Sequence, residues 1–143
     1  MSAKLKILFL CTGNSCRSQM AEGWARHLKS EVIEPYSAGV DSQGLSSRAV
    51  AVMKEAGVDI SQHTSKKVSS VMDIPFDHVI TVCSDAEKSC PVFLGNTQVI
   101  HVGFDDPPNL AKLTQSEEEA LAHFRRVRDE IRVFVETLPL EQS

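Results

Sequence analysis

Two rhythms of apolar and polar residues run along this chain. Short uninterrupted apolar runs occur in KILFL (6–10), DHVITVCSD (77–85) and QVIHVGF (98–104). A run of this kind marks a strand buried on both faces. Between them, apolar residues recur every three or four positions, which predicts amphipathic helices. SQMAEGWARHLKS (18–30) sets Met20, Ala21, Trp24 and Leu28 on one face, with Ser18 placed to cap its start. SSRAVAVMKEAG (46–57) is a second helix, stopped by Gly57. From Ser116 to Leu138 a long helix carries the stripe Leu121, Phe124, Val127, Ile131 and Phe134. Its glutamates cluster in the first turn, where the helix dipole favours them. VIEPYSAG (32–39) reads as a short strand, confined to a sheet edge because Pro35 has no N–H to donate.

Strands alternating with helices imply an α/β fold, a parallel sheet covered on both faces. Neither a repeat nor a linker interrupts the pattern, so one domain over 1–143 is expected. Ligands of open α/β sheets bind at the carboxyl ends of the strands. Cys11 and Cys83 both stand at such ends, so the topology can make neighbours of residues far apart in sequence.

Composition narrows the function. A net charge of −4 gives no sign of a nucleic-acid surface or a polybasic membrane patch. Apolar runs fall well short of the roughly 20 residues that span a bilayer. The N-terminal run is too short for a secretory signal and ends in a polar loop, so a cytoplasmic protein is expected. In a reducing compartment cysteines serve catalysis or metals rather than staples. The spacings Cys11-x4-Cys16 and Cys83-x6-Cys90 include no close pair, and no histidine pair has zinc spacing, so no metal site is expected.

The first strand runs straight into CTGNSCRS (11–18). A loop from strand to helix turns successive backbone N–H groups toward one point, and the helix dipole adds positive potential there. Gly13 and Asn14 permit left-handed backbone. Arg17 supplies a planar fork of donors for a tetrahedral anion. Such a field also favours a thiolate at Cys11, which makes that residue the candidate nucleophile. Thr12, Gly13, Asn14, Ser15, Cys16, Arg17 and Ser18 are the expected oxyanion-binding residues, with Ser18 also able to donate to the sulfur.

CTGNSCRS fits the C-x5-R loop of low-molecular-weight protein tyrosine phosphatases, and CTGNSCRSQMAEGW resembles the thioredoxin-coupled arsenate reductases built on that fold. YSAG (36–39), HTSK (63–66), VCSDAEKSCP (82–91), GFDDPP (103–108) and FRRVRDEI (124–131) extend the similarity along the chain. The resemblance implies a four-stranded parallel sheet flanked by helices. It also implies a relay in which Cys11 attacks arsenic, Cys83 attacks Cys11, and Cys90 then attacks Cys83. The resulting Cys83–Cys90 disulfide is reduced by thioredoxin, with no bound cofactor. Arsenate is the expected substrate, phosphate and sulfate are competing oxyanions, and the protein is expected to be a monomer. Asp106, before Pro107, takes the place of the family's general acid, with Asp105 its rival.

Two positions depart from the pattern. Pro108 and Asn109 stand where phosphatases of this kind carry an aromatic residue against a phosphotyrosine ring, which favours a small inorganic anion. A monovalent-cation site of some reductases is matched at Asn14, Glu22 and Ser37, but Lys66 replaces its carboxylate, and the ammonium is expected to take the cation's place. Trp24 is assigned to the core, Cys16 has no redox role, and His63 anchors a loop. A phosphatase for phosphotyrosine or small esters, and a non-enzymatic oxyanion or redox sensor, remain the alternatives.

Overall fold

The computed structural model describes residues 4–82 and 97–139. Four parallel strands, β1 (Leu5–Cys11), β2 (Ile33–Gly39), β3 (His78–Thr81) and β4 (Gln98–His101), form one sheet in the order β2-β1-β3-β4. β1 is central, and Ile7, Leu8, Phe9 and Leu10 are fully buried, as the unbroken apolar run requires. Pro35 lies in β2 at the sheet margin, where a missing N–H breaks no ladder. Cys11 pairs with Gly39, so β1 and β2 end together at the carboxyl edge.

Helices α1 (Arg17–Lys29), α2 (Ser47–Glu55), α3 (Pro107–Ala111) and α4 (Glu117–Glu136) surround the sheet, with a 3-10 turn at Val68–Val71. α1 packs on β1, β2 and α4. Trp24 is buried at the α1–α4 seam, where its indole N–H donates to the Arg128 carbonyl at 3.1 Å and the Arg132 guanidinium lies over its ring. Ser116 caps α4 by accepting from Glu119 N. The buried line of α4 runs through Ala120, Phe124, Val127, Ile131 and Val135. Leu121 and Phe134 flank that line, and Phe134 meets Phe104 edge-to-face at the loop before α3.

One local expectation is corrected. α1 begins at Arg17 and is preceded by Cys16, with no side-chain cap, because Ser18 lies inside the first turn and its hydroxyl is engaged elsewhere. The two prolines of DDPP open α3, their preset backbone angle suiting a first helical turn, and Asp106 stands extended just before it.

Candidate active site

The loop between β1 and α1 is tied along its back. Val40 N donates to Cys11 O (3.0 Å), Asp41 N to Thr12 O (2.8 Å), Gln43 N to Gly13 O (2.9 Å) and Ser46 N to Ser15 O (2.9 Å). In a planar trans peptide the next residue's N–H points opposite the carbonyl. The N–H groups of Thr12, Gly13, Asn14 and Cys16 are therefore turned away from the 40–46 segment, and that of Asn14 points at Cys11 Sγ on the pocket side. Gly39 allows this close approach: a Cβ there would lie 2.3 Å from Asp41 O and 2.7 Å from Asn14 N. Asn14 takes the left-handed backbone of the loop, with φ of 49°.

A directed hydrogen-bond chain supports the sulfur. The Lys66 backbone N–H donates to Asn14 Oδ1 at 2.9 Å, which fixes the carboxamide and leaves Nδ2 to donate to Ser18 Oγ at 2.8 Å. Ser18 then has its own proton for Cys11 Sγ, also at 2.8 Å. Asn14 N reaches the same sulfur at 3.3 Å. Behind them, Gln19 Nε2 donates to Asn14 O, Asn14 Oδ1 and Thr64 O. Gln19 Oε1 therefore faces His63 Nδ1 at 3.0 Å, so that nitrogen carries the proton. Burial pushes the His63 pKa down, partly opposed by Glu22, whose Oε2 lies 3.8 Å from Nε2.

The pocket, about 260 Å³, is lined by the loop and by residues of α3 and the 40–46 segment. Cys11, Thr12, Gly13, Ser15, Cys16 and Arg17 all line it, whereas Asn14 and Ser18 are fully buried behind the sulfur. Arg17 Nη1 donates to Phe104 O at 2.9 Å, and Nη2 lies 3.7 Å from Asp106 Oδ1. Asp106 lines the pocket, while Asp105 turns outward to Arg126 at 2.9 Å. Burial pushes the Cys16 thiol far up, with Arg17 opposing, so Cys16 stays protonated.

Cys83 and Cys90 lie outside the described residues. Val82, immediately before Cys83, donates its N–H to Leu10 O at 2.9 Å, immediately before Cys11. The expectation for Lys66 is corrected: its ammonium lies on Thr64 O (3.1 Å), and the cation on Glu22 is Arg26 at 2.9 Å. Arg26 reaches Glu22 because the two are one helical turn apart, a spacing visible in the sequence. Among the described residues, no group of three or more His, Cys, Asp or Glu is placed to hold a metal. No helix there is long and apolar enough to cross a membrane.

Sequence reasoning missed Gln19, Gln43 and the whole backing segment. The glycine ending YSAG was the available signal, since a strand that stops on glycine beside a phosphate-type loop marks close backbone approach.

Residues 6–141 match the family described as low molecular weight phosphotyrosine protein phosphatase. The chain is 46% identical over 138 residues to an arsenate reductase of Halalkalibacterium halodurans, covering 94% of this chain and 97% of that protein. It is 42% identical over 137 residues to an arsenate reductase of Staphylococcus aureus, covering 96% and 98%. A solved structure described as an arsenate reductase in the phosphate binding state superposes with a TM-score of 0.70 at 33% identity, over 94% of this chain and 95% of the other.

Proposed function

The chain belongs to the low molecular weight phosphotyrosine protein phosphatase family, and on that premise we propose that it is an arsenate reductase regenerated by thioredoxin. Arsenate enters the loop, and Arg17 leaves Asp106 to hold two of its oxygens. Cys11 attacks arsenic opposite the outward hydroxyl, Asp106 gives that oxygen a proton, and water leaves. The Cys83 thiolate then attacks Cys11 Sγ. The S–As bonding pair passes to arsenic, which departs as arsenite with As(III), leaving a Cys11–Cys83 disulfide. Cys90 attacks Cys83, freeing the Cys11 thiolate, and thioredoxin reduces the Cys83–Cys90 disulfide by thiol exchange. The setting is the reducing cytoplasm, and the working unit is the monomer.

The observation that carries this reading is the anion cradle itself, with Cys11 Sγ held by Ser18 and Asn14 N beside Arg17 and Asp106. The high identity to arsenate reductases along the chain favours reduction over hydrolysis. Val82 beside Leu10 supports placing the second relay cysteine next to the first. The shared cradle and acid also support slow hydrolysis of a small aryl phosphate.

The test is NADPH oxidation with arsenate, thioredoxin and thioredoxin reductase, run beside a glutaredoxin and glutathione system. Arsenate-dependent oxidation with thioredoxin is expected. Cys90→Ser should release about one arsenite per enzyme and stop at the Cys11–Cys83 disulfide. Sustained turnover by Cys90→Ser would overturn the relay order, and no turnover with either donor would favour a sensor.

A further inference from the structure

An anion attacked in line by Cys11 presents its leaving oxygen away from the sulfur, toward the pocket mouth. Beyond the loop and Asp106, that mouth is lined by Gln43, Pro108, Asn109 and Lys112. Gln43 comes from the backing segment, and its carboxamide lies against Gly13 of the cradle. A Cβ on Gly13 would fall 2.4 Å from Gln43 Oε1 and 2.6 Å from Cδ, so the amide rests in the space that glycine at 13 leaves open. Lys112 closes α3 as Asp106 opens it, and it is the only lysine lining the pocket among the described residues.

We propose that Gln43 and Lys112 read the outward oxygen of the bound anion and so select free tetrahedral oxyanions over esters. The proposal rests on the anion cradle described above and adds the residues that set its substrate class. A free oxyanion carries an outward hydroxyl with one proton to give and lone pairs to fill. Gln43 Oε1 accepts the proton, while the Lys112 ammonium and the acid Asp106 donate to the oxygen. An ester oxygen has no proton for Gln43, and its substituent must pass through the space that both side chains occupy. Lys112 also places a second positive charge beside Arg17, against the single carboxylate of Asp106, in a chain whose net charge is −4. The mouth is thus cationic on an anionic protein.

The test uses Cys11→Ser protein, which cannot consume an ester, titrated calorimetrically with inorganic phosphate and with phenyl phosphate. Lys112→Met should weaken inorganic phosphate about tenfold, the worth of one charge-assisted hydrogen bond, and phenyl phosphate less than about twofold. Gln43→Ala should weaken inorganic phosphate about threefold and leave phenyl phosphate equal or tighter. Both side chains are exposed, so unchanged melting curves are expected for both variants. The selectivity should persist at about 0.5 M salt, where a long-range field would be screened. Equal losses for the two ligands, or no loss for either, would overturn the proposal. Failure of the cradle reads differently: the Arg17→Ala variant would then bind phosphate as well as its Cys11→Ser parent, and both readings fall together.

Discussion

Asn14→Ala removes the centre of the network behind the sulfur. Asn14 is fully buried at a φ of 49°, and its side chain makes three hydrogen bonds, to Ser18, Gln19 and Lys66 N. At about 0.5–1.5 kcal/mol net for each, their loss costs about 1.5–4.5 kcal/mol. Gln19 keeps two other acceptors, Asn14 O and Thr64 O, so the damage concentrates at Ser18 and at the Lys66 N–H, which loses its acceptor. Left-handed backbone adds about 1 kcal/mol for alanine. The expected total is about 2.5–5.5 kcal/mol, which lowers the melting temperature by about 8–17 °C in a domain of this size. Asn14→Gly loses the same three bonds without the backbone strain, and should be more stable than the alanine variant by about 1 kcal/mol. Urea unfolding followed by the fluorescence of Trp24, the one tryptophan, measures both against wild type. A loss below about 1 kcal/mol for Asn14→Ala would refute the network account. An alanine variant at least as stable as the glycine variant would refute the strain account.

Three further outcomes are expected. Asp106→Asn should slow the first step on arsenic in single turnovers by about 10²–10⁴-fold and spare p-nitrophenyl phosphate, whose leaving group needs little protonation; Asp105→Asn, paired outward with Arg126, should change little, and a larger loss there would reassign the acid. Gly39→Ala should cost at least about 1–3 kcal/mol and abolish phosphate binding, because its Cβ meets only backbone atoms that cannot swing away; a variant that binds phosphate normally would show the approach is looser. His63 is held neutral by burial, below its ordinary value of 6.5, so the stability it contributes is full above that pH and is lost as pH falls toward its folded value. Melting curves between about pH 7 and 5 should therefore fall less steeply for His63→Gln than for wild type, and an equal or steeper fall counts against this account.

What the sequence showed and what it hid divide along physical lines. β1 was legible because burial on both faces leaves Ile7 to Leu10 without a polar position, and β3 because Val79 and Ile80 repeat that pattern between the buried His78 and Thr81. Cys11, Gly13 and Arg17 were legible because anion capture at a strand–helix turn demands those residue types close together. Ser18 was half legible: its hydrogen bond to Cys11 Sγ was expected from the loop, but serine before an apolar period also signals a cap, and α1 begins at Arg17 without one. α3 was hidden because Asp-Asp-Pro-Pro is equally good turn chemistry, and packing of α3 on α4 decides between the two. Lys66 was misjudged because a side-chain swap was weighed, whereas the atom that touches Asn14 is its backbone N–H. Gln43 had no local signal at all, since its place over Gly13 depends on the pairing of two loops distant in sequence.

The backing of residues 11–15 by 40–46 bears on how such a protein can change over time. The peptides that follow Cys11, Thr12, Gly13 and Ser15 are oriented by main-chain partners, and the one after Asn14 by the Gln19 side chain, so most of the preference for anions is carried by atoms common to every residue type. Ordinary point mutations leave that inheritance intact while they reshape the mouth, where the fate of the captured anion is decided. Descendants can exchange hydrolysis for reduction without ever losing capture. Changes of length are another matter. One residue added or removed between Gly39 and Ser46 would put the two chain segments out of step and turn carbonyls toward the anion, so this stretch should tolerate many spellings and almost no change in length.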